Sequence, residues 1–280
     1  MVITVSGRGV HSGRHCSVAV RLREPGTGFV FQPRSLAGGG HHEAFLASPH
    51  RVRSSTLATV LGSASFQVAT TEHLLSACAG LGVWNMEATV EGGELPICDG
   101  SARPWVRVLE TLIRSSTRAP RTQRRSLVVE SPIEIRDGDR LARLEPASGC
   151  LVHASITPRA GLASLGPTEL SLALTPDAYR EEIAWARTFV YAADADRLRA
   201  AGHGQGASLD NTLLITDDGV ANPGGPRGES EPLRHKILDA LGDLALLGAP
   251  FRGRLVLHDS GHALHVALAQ KWSAALREAA

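Results

Sequence analysis

The chain has 280 residues, 43% hydrophobic and 20% charged, so it holds enough apolar material for a core without disulfide staples. Its 29 basic and 28 acidic residues give a formal net charge of +1, which argues against general binding to nucleic acid or anionic membranes. No apolar run approaches the roughly 18 residues of a membrane span, and the opening MVITVSGRGV lacks the basic start and long apolar stretch of a signal peptide. The expectation is a cytoplasmic protein with no integral membrane segment.

In chain order, residues 7–13 (GRGVHSG) form a glycine cluster without the spacing of a phosphate loop. Residues 18–22 alternate at period two and predict a strand. Thr70 and Thr71 suit a helix N-cap, which opens a helix through residue 82, followed by a strand over 86–90. The polar stretch 114–125 has no hydrophobic periodicity and reads as a linker. It divides the chain into residues 1–120 and 121–280. Strands are predicted over 127–130, 133–135, 151–156 and 170–174. A helix is predicted over 177–188, opened by Thr175 and Pro176. A second apolar helix over 235–244 leads into a strand over 254–258. Each half thus has a helix that starts near a histidine, ends near glycine and feeds a strand, which two related α+β halves would explain. Cys16, Cys78, Cys98 and Cys150 are far apart and show no CxxC pairing, so buried free thiols are expected.

Three segments carry candidate chemistry. Glu72 beside His73 is the pairing needed to deprotonate water next to a metal ligand; a capping carboxylate and an ordinary helix residue fit as well. His235 and Asp239 lie four apart, on one helix face, as a two-ligand plate for zinc; a surface His–Asp pair fits equally. Asp243 continues that stripe. His262, in the turn Asp259-Ser260-Gly261-His262, suits an acid or a ligand, and His258 and His265 flank it without the alternation choosing among the three. Residues 186–189, with Thr188 and Phe189, read by pattern alone as a helix terminus. Among the basic residues only Lys236 and Lys271 are lysines, which makes Lys236, inside the second segment, notable.

Together, GRGVHSG (7–13), TTEHLLSACAGLGVWNMEATVEGGELPICDGSARPWV (70–106), ARTF (186–189), GASLDN (206–211), RHKILDALGDLALLG (234–248) and SGHAL (260–264) resemble the zinc-dependent UDP-3-O-acyl-N-acetylglucosamine deacetylase (LpxC) family, which serves lipid A biosynthesis. The resemblance implies an α+β fold of two similar two-layer sandwiches with the active site between them. It implies His73, His235 and Asp239 as ligands of zinc, with iron(II) as the alternative metal. It casts Glu72 as general base, His262 as acid or cationic stabiliser oriented by Asp243, and Thr188 as a donor to the oxyanion. Lys236 would meet the anionic part of the substrate and Phe189 the acyl side. The implied partner is a small-molecule sugar, nucleotide-linked and acylated in the family, and the chain is expected to be a monomer. Two stretches depart from the pattern. Residues 202–206 are polar and glycine-rich where an apolar wall for the acyl chain is expected, and residues 157–161 hold no aromatic residue. Two other functions stay open at this point: a divergent deacetylase of another N-acetylated amino sugar, and a metal-binding scaffold without turnover.

Overall fold

The computed structural model describes residues 1–34, 43–116 and 126–278. In the first half, strands β1 (Ile3–Arg8), β2 (His15–Leu22), β3 (Phe29–Pro33) and β4 (Phe45–Leu46) are followed by three short strands, β5 (Val52–Ser54), β6 (Val60–Gly62) and β7 (Gln67–Val68). Helix α1 (Glu72–Leu81), strand β8 (Met86–Glu91) and helix α2 (Arg103–Ser115) complete it. The main sheet runs β1-β2-β8-β3-β4, antiparallel except where β3 pairs with β8. β5, β6 and β7 form a small separate sheet.

The second half repeats this plan. Strands β9 (Leu127–Val128), β10 (Ile133–Asp137), β11 (Arg140–Glu145), β12 (Cys150–Ser155) and β13 (Glu169–Ala173) lead to a single turn α3 (Pro176–Ala178) that continues as a π-helical turn, Tyr179–Ile183. Strand β14 (Phe189–Tyr191), helix α4 (Ala192–Ala200) and strands β15 (Leu213–Thr216) and β16 (Gly219–Val220) follow. Helix α5 (Glu231–Leu244), strand β17 (Phe251–His258) and helix α6 (His262–Glu278) close the chain. The main sheet runs β10-β11-β17-β12-β13 with β9 beside β17, and its inner parallel pair is β12 with β17. β14, β15 and β16 form the small sheet. Strand order, the position of the parallel pair, the inserted small sheet, and the helices before and after the last strand all recur. The fold is α+β, and the repeat suspected between the two helix–strand segments extends to whole halves.

Period-two alternation places Val18 and Val20 of β2, Phe29 and Phe31 of β3, and Ala142 and Leu144 of β11 in the core. Helix α2 packs on β2, and α6 on β10 and β11. Between these layers α1 and α5 lie against each other. Helix α1 is apolar nearly all round and buried over nine of its ten residues, as a helix enclosed on every side must be. In α5 Leu233, Ile237, Leu238, Leu241 and Leu244 are buried.

Four expectations need correction. Helix α2 includes Arg114 and Ser115, so the linker cannot begin at residue 114; residues 117–125 and the division at 120 lie outside the described residues. The helix expected to reach Thr188 stops at the π turn. There Arg187 is drawn out of helical register by Glu231, whose carboxylate accepts its main-chain N–H, Nε and Nη2 at 2.8–3.0 Å. Thr188 therefore precedes a strand rather than ending a helix. Thr71 occupies the N-cap of α1 but does not cap it; its hydroxyl donates to the Thr59 carbonyl at 3.1 Å instead. His262, expected in a turn, is the first residue of α6. The cysteines are free thiols as expected, with Cys16 and Cys78 buried and Cys98 and Cys150 half-buried. Among the described residues no helix is long and apolar enough to cross a membrane.

Helices α1 and α5 approach tightly at Gly242, where a Cβ would stand 2.1 Å from the Glu72 carbonyl oxygen. Alanine is the better helix former by about 1 kcal/mol, yet here it must push two helices apart. Gly242→Ala should destabilise by about 1–3 kcal/mol in urea unfolding. Gly224→Ala, with nothing within 4 Å of its Cβ, should stay within about 0.5 kcal/mol of the parent. Equal behaviour of the two variants would contradict this packing.

Candidate metal centre and catalytic site

The contact of α1 with α5 brings His73 from the first half to His235 and Asp239 from the second. One ligand atom of each lies within 4.8 Å of the others. His235 Nε2 stands 3.3 Å and His73 Nε2 3.8 Å from Asp239 Oδ1. His235 Nδ1 lies 3.0 Å from the Ala186 carbonyl, which can only accept, so Nδ1 carries the proton and the Nε2 lone pair faces inward. Burial and the neighbouring His235 hold His73 down at about 3, hence as neutral imidazole. Asp239 Oδ1 and His73 Nδ1 are buried without a hydrogen-bond partner. An imidazole lone pair and a carboxylate oxygen at 3.3 Å, with no proton between them, repel. Two imidazoles and one carboxylate are the donor set of a catalytic zinc site, which keeps a coordination place open. The residues therefore fit a cation.

A second cluster, Asp243, His262 and His265, has the same residue types but satisfies itself. Asp243 Oδ2 accepts from His262 Nδ1 at 2.8 Å and His265 Nδ1 at 3.0 Å, and Oδ1 accepts the Thr59 hydroxyl at 2.5 Å. His265 Nε2 meets the Ser260 hydroxyl at 2.9 Å. With every polar atom of Asp243 and His265 engaged, this cluster orients groups and has no need of an ion.

Glu72 lies between the clusters. It is the first residue of α1, and Oε2 accepts the Thr59 main-chain N–H at 3.1 Å. His262 Nε2 stands 4.0 Å from Glu72 Oε1 and 3.8 Å from Asp239 Oδ2. Burial pushes Glu72 up to about 8, reinforced by Asp243 and Asp239 and opposed by His262. Burial alone would lower His262, but Asp243, Asp239 and Glu72 outweigh it and raise it to about 10. Asp243 goes the other way, to about 2, because its two imidazole partners overcome its desolvation. A buried carboxylate that can take a proton thus faces an imidazole that keeps one. Of the three candidate histidines, His262 is the one that stands beside both Glu72 and Asp239. His258 pairs with Ser155 and faces Asp259, and His265 is buried behind Asp243.

A cavity of about 510 Å³ opens beside these groups, with Glu72, His73, His235, Asp239, His262 and Thr188 on its lining. Phe189 lines it too, its ring 6.4 Å from that of His235. Lys236 projects outside the triad: Nζ donates to the Ser260 carbonyl at 2.7 Å and lies 5.8 Å from the Phe189 ring. Burial lowers its ammonium, as do Arg140 and Arg159 nearby. The expected loss of an apolar wall is not seen. His203 and Gly204 do reach the cavity, but Leu198 and Ala195 of α4, with Leu209 and Leu214, supply apolar lining that the segment 202–206 lacks. The segment 157–161 has no aromatic residue of its own, but Arg159 lies over the Tyr191 ring at 5.1 Å. In the glycine cluster, the N–H groups of His11 and Ser12 are taken by the Glu94 carboxylate at 2.9 and 3.0 Å, so they are not free to hold a phosphate.

Sequence reasoning missed Thr59 and the Ala186 carbonyl as partners of the site, and it named His265 and Ser260 without giving them their roles as partners of Asp243 and of each other. Neither Thr59 nor the Ala186 carbonyl left a signal in the sequence.

A buried triad of two histidines and one carboxylate, with a second carboxylate and a carboxylate-held imidazole alongside, is a residue set that suits a metal-dependent hydrolase. The family profile of LpxC, UDP-3-O-acyl N-acetylglycosamine deacetylase, matches residues 1–274. A UDP-3-O-acyl-N-acetylglucosamine deacetylase of Anaeromyxobacter sp. (strain Fw109-5) is 39% identical over 276 residues, covering 96% of this chain and 85% of that protein. Proteins of the same name from Phenylobacterium zucineum (strain HLK1) and Acidithiobacillus ferrooxidans (strain ATCC 53993 / BNL-5-31) are 40% identical over 270 residues and 36% over 263. They cover 96% and 94% of this chain, and 90% and 84% of their own lengths. The chain belongs to the LpxC deacetylase family.

The sign of the His262 shift sets a pH test. Its folded value exceeds the 6.5 of ordinary imidazole, so the cation's stabilisation is complete below pH 6.5 and is lost as pH rises toward 10. Glu72, raised from 4.5 to about 8, acts in the same direction over a lower range. Metal-free protein should lose stability to urea between pH 6.5 and 10, and Asp243→Asn should remove most of that loss. Parallel pH profiles for parent and variant would contradict the assignment of His262 as a held cation.

Proposed function

We propose that this chain removes the N-acetyl group of a UDP-3-O-acyl-N-acetylglucosamine substrate in lipid A biosynthesis, as a zinc-dependent amidohydrolase. The observation that carries the reading is the three-donor hollow of His73, His235 and Asp239 with Glu72 and His262 on its rim, in a member of a deacetylase family. A purely structural metal has no use for a base and an acid beside it, and it closes with four protein ligands. That argues against a scaffold without turnover.

His73, His235 and Asp239 would hold the ion. When bound, zinc supplies Lewis acidity that polarises an amide carbonyl and makes water a competent nucleophile near pH 7. Glu72 takes the proton from the attacking water; a cation in the hollow favours its ionised form. His262, kept protonated by Asp243, gives its proton to the departing amine. The Thr188 hydroxyl donates toward the oxyanion from the cavity wall. Phe189 with the apolar side of the cavity accommodates the acyl chain at about 0.8 kcal/mol per buried methylene. Lys236, with Arg140 and Arg159 close by, faces the anionic nucleotide part. The division into domains near residue 120 belongs to the same proposal: the first contributes Glu72 and His73, and the second contributes the other groups. Iron(II) suits the same donors, and metal replacement decides between the two ions.

Acetate release should be assayed on a panel of N-acetylglucosamine derivatives with and without UDP and a 3-O-acyl chain. The substrate carrying both should give the highest kcat/KM. Comparable rates on sugars lacking UDP would shift the reading to another N-acetylated amino sugar. Glu72→Ala should retain the metal while kcat falls by about 10²–10⁴-fold; a drop of less than about tenfold would remove Glu72 from the role of base.

A further inference from the structure

We propose that Thr59 is a positioning residue for the reaction, setting Glu72 through its main-chain N–H and Asp243 through its hydroxyl. The proposal rests on the deacetylase reading. Thr59 sits in the irregular segment before β6 and is fully buried. Its N–H donates to Glu72 Oε2 and its hydroxyl to Asp243 Oδ1. Its own carbonyl is pinned by the Thr71 hydroxyl at 3.1 Å and the Thr71 N–H at 3.4 Å. All three polar groups of one residue are therefore fixed, and two of them end on carboxylates from different helices. Those carboxylates belong to the proton acceptor and to the group that holds the proton donor.

The division of donors on Asp243 shows what the hydroxyl does. Oδ2 takes both imidazoles, His262 and His265, while Oδ1 takes Thr59. With Oδ1 anchored, the carboxylate plane is set and His262 Nδ1 has one direction in which to point. Without the hydroxyl, Oδ1 loses that donor, and the carboxylate plane that directs His262 is set by the two imidazoles on Oδ2 alone. Neither a metal ligand nor the substrate cavity is touched, since Thr59 is on neither.

The test is a series at residue 59 in the metal-loaded protein. Thr59→Val keeps the shape and the main-chain N–H and removes only the donor. It should lower kcat by about 10–100-fold, change KM by less than about threefold and leave the metal content unaltered. Thr59→Ser should keep kcat within about threefold of the parent, because the donor remains. In an Asp243→Ala background Thr59→Val should cost less than about threefold, since its partner is already gone. If Thr59→Val does not fold, Thr59→Ser against Thr59→Ala gives the same comparison, differing by the hydroxyl alone. In metal-free protein the low-field proton resonances of the two imidazole Nδ1–H groups should move in Thr59→Val and hold in Thr59→Ser. That readout stands even if no panel sugar releases acetate, an outcome that removes the deacetylase reading instead. Unchanged kcat and resonances in Thr59→Val, equal damage from serine and valine, or full multiplication of the losses in the Asp243→Ala background would each overturn the role.

Discussion

Everything in the site depends on how closely two helices approach. Gly242 of α5 lies against the main chain of Glu72 in α1, with no room for a side chain between them. That contact joins the two halves at the first turn of one helix and the last turns of the other. His73 is one residue after it on α1; Asp239 and His235 are one and two turns before it on α5. The same packing of α1 on α5 gathers His73, His235 and Asp239 from distant stretches of chain and sets Glu72 near Asp243.

The electrostatics of the hollow follow from its hydrogen bonds. The Ala186 carbonyl turns the His235 lone pair inward, burial keeps His73 neutral, and Asp239 Oδ1 is left without a proton donor. Ala186 is available because Arg187, bound to fully buried Glu231, ends the preceding helical turn. The neighbouring cluster is built from the same residue types and behaves oppositely, because Asp243 is surrounded by donors. Two similar compositions thus divide into a site that lacks a positive charge and one that supplies it.

Much of this was legible in the sequence. The i, i+4 spacing of His235 and Asp239, continued by Asp243, survives in α5 because a helix fixes those directions locally. The period-two strands and the helix after Thr71 were also readable, and the echo between two helix–strand segments grew into a full repeat of sheet order. What escaped notice depends on contacts across the fold. Choosing His262 over His258 and His265 requires knowing where Asp243 points. The helix over 177–188 was overextended because Glu231, 44 residues downstream of Arg187, is what unwinds it. Thr59 sits in a short irregular stretch with no periodicity to mark it. The apolar lining of the cavity comes from α4 and from Leu209 and Leu214, whereas the segment 202–206 suggested a polar wall. The linker and the boundary at 120 lie outside the described residues.

The most direct measurement is the anomalous-scattering map of a crystal of the zinc-loaded protein at the metal absorption edge. The account requires one strong peak per chain, enclosed by imidazole nitrogens of His73 and His235 and a carboxylate oxygen of Asp239. A peak at Asp243, His262 and His265 instead, or no peak at the first hollow in protein that carries one equivalent of zinc, would contradict it.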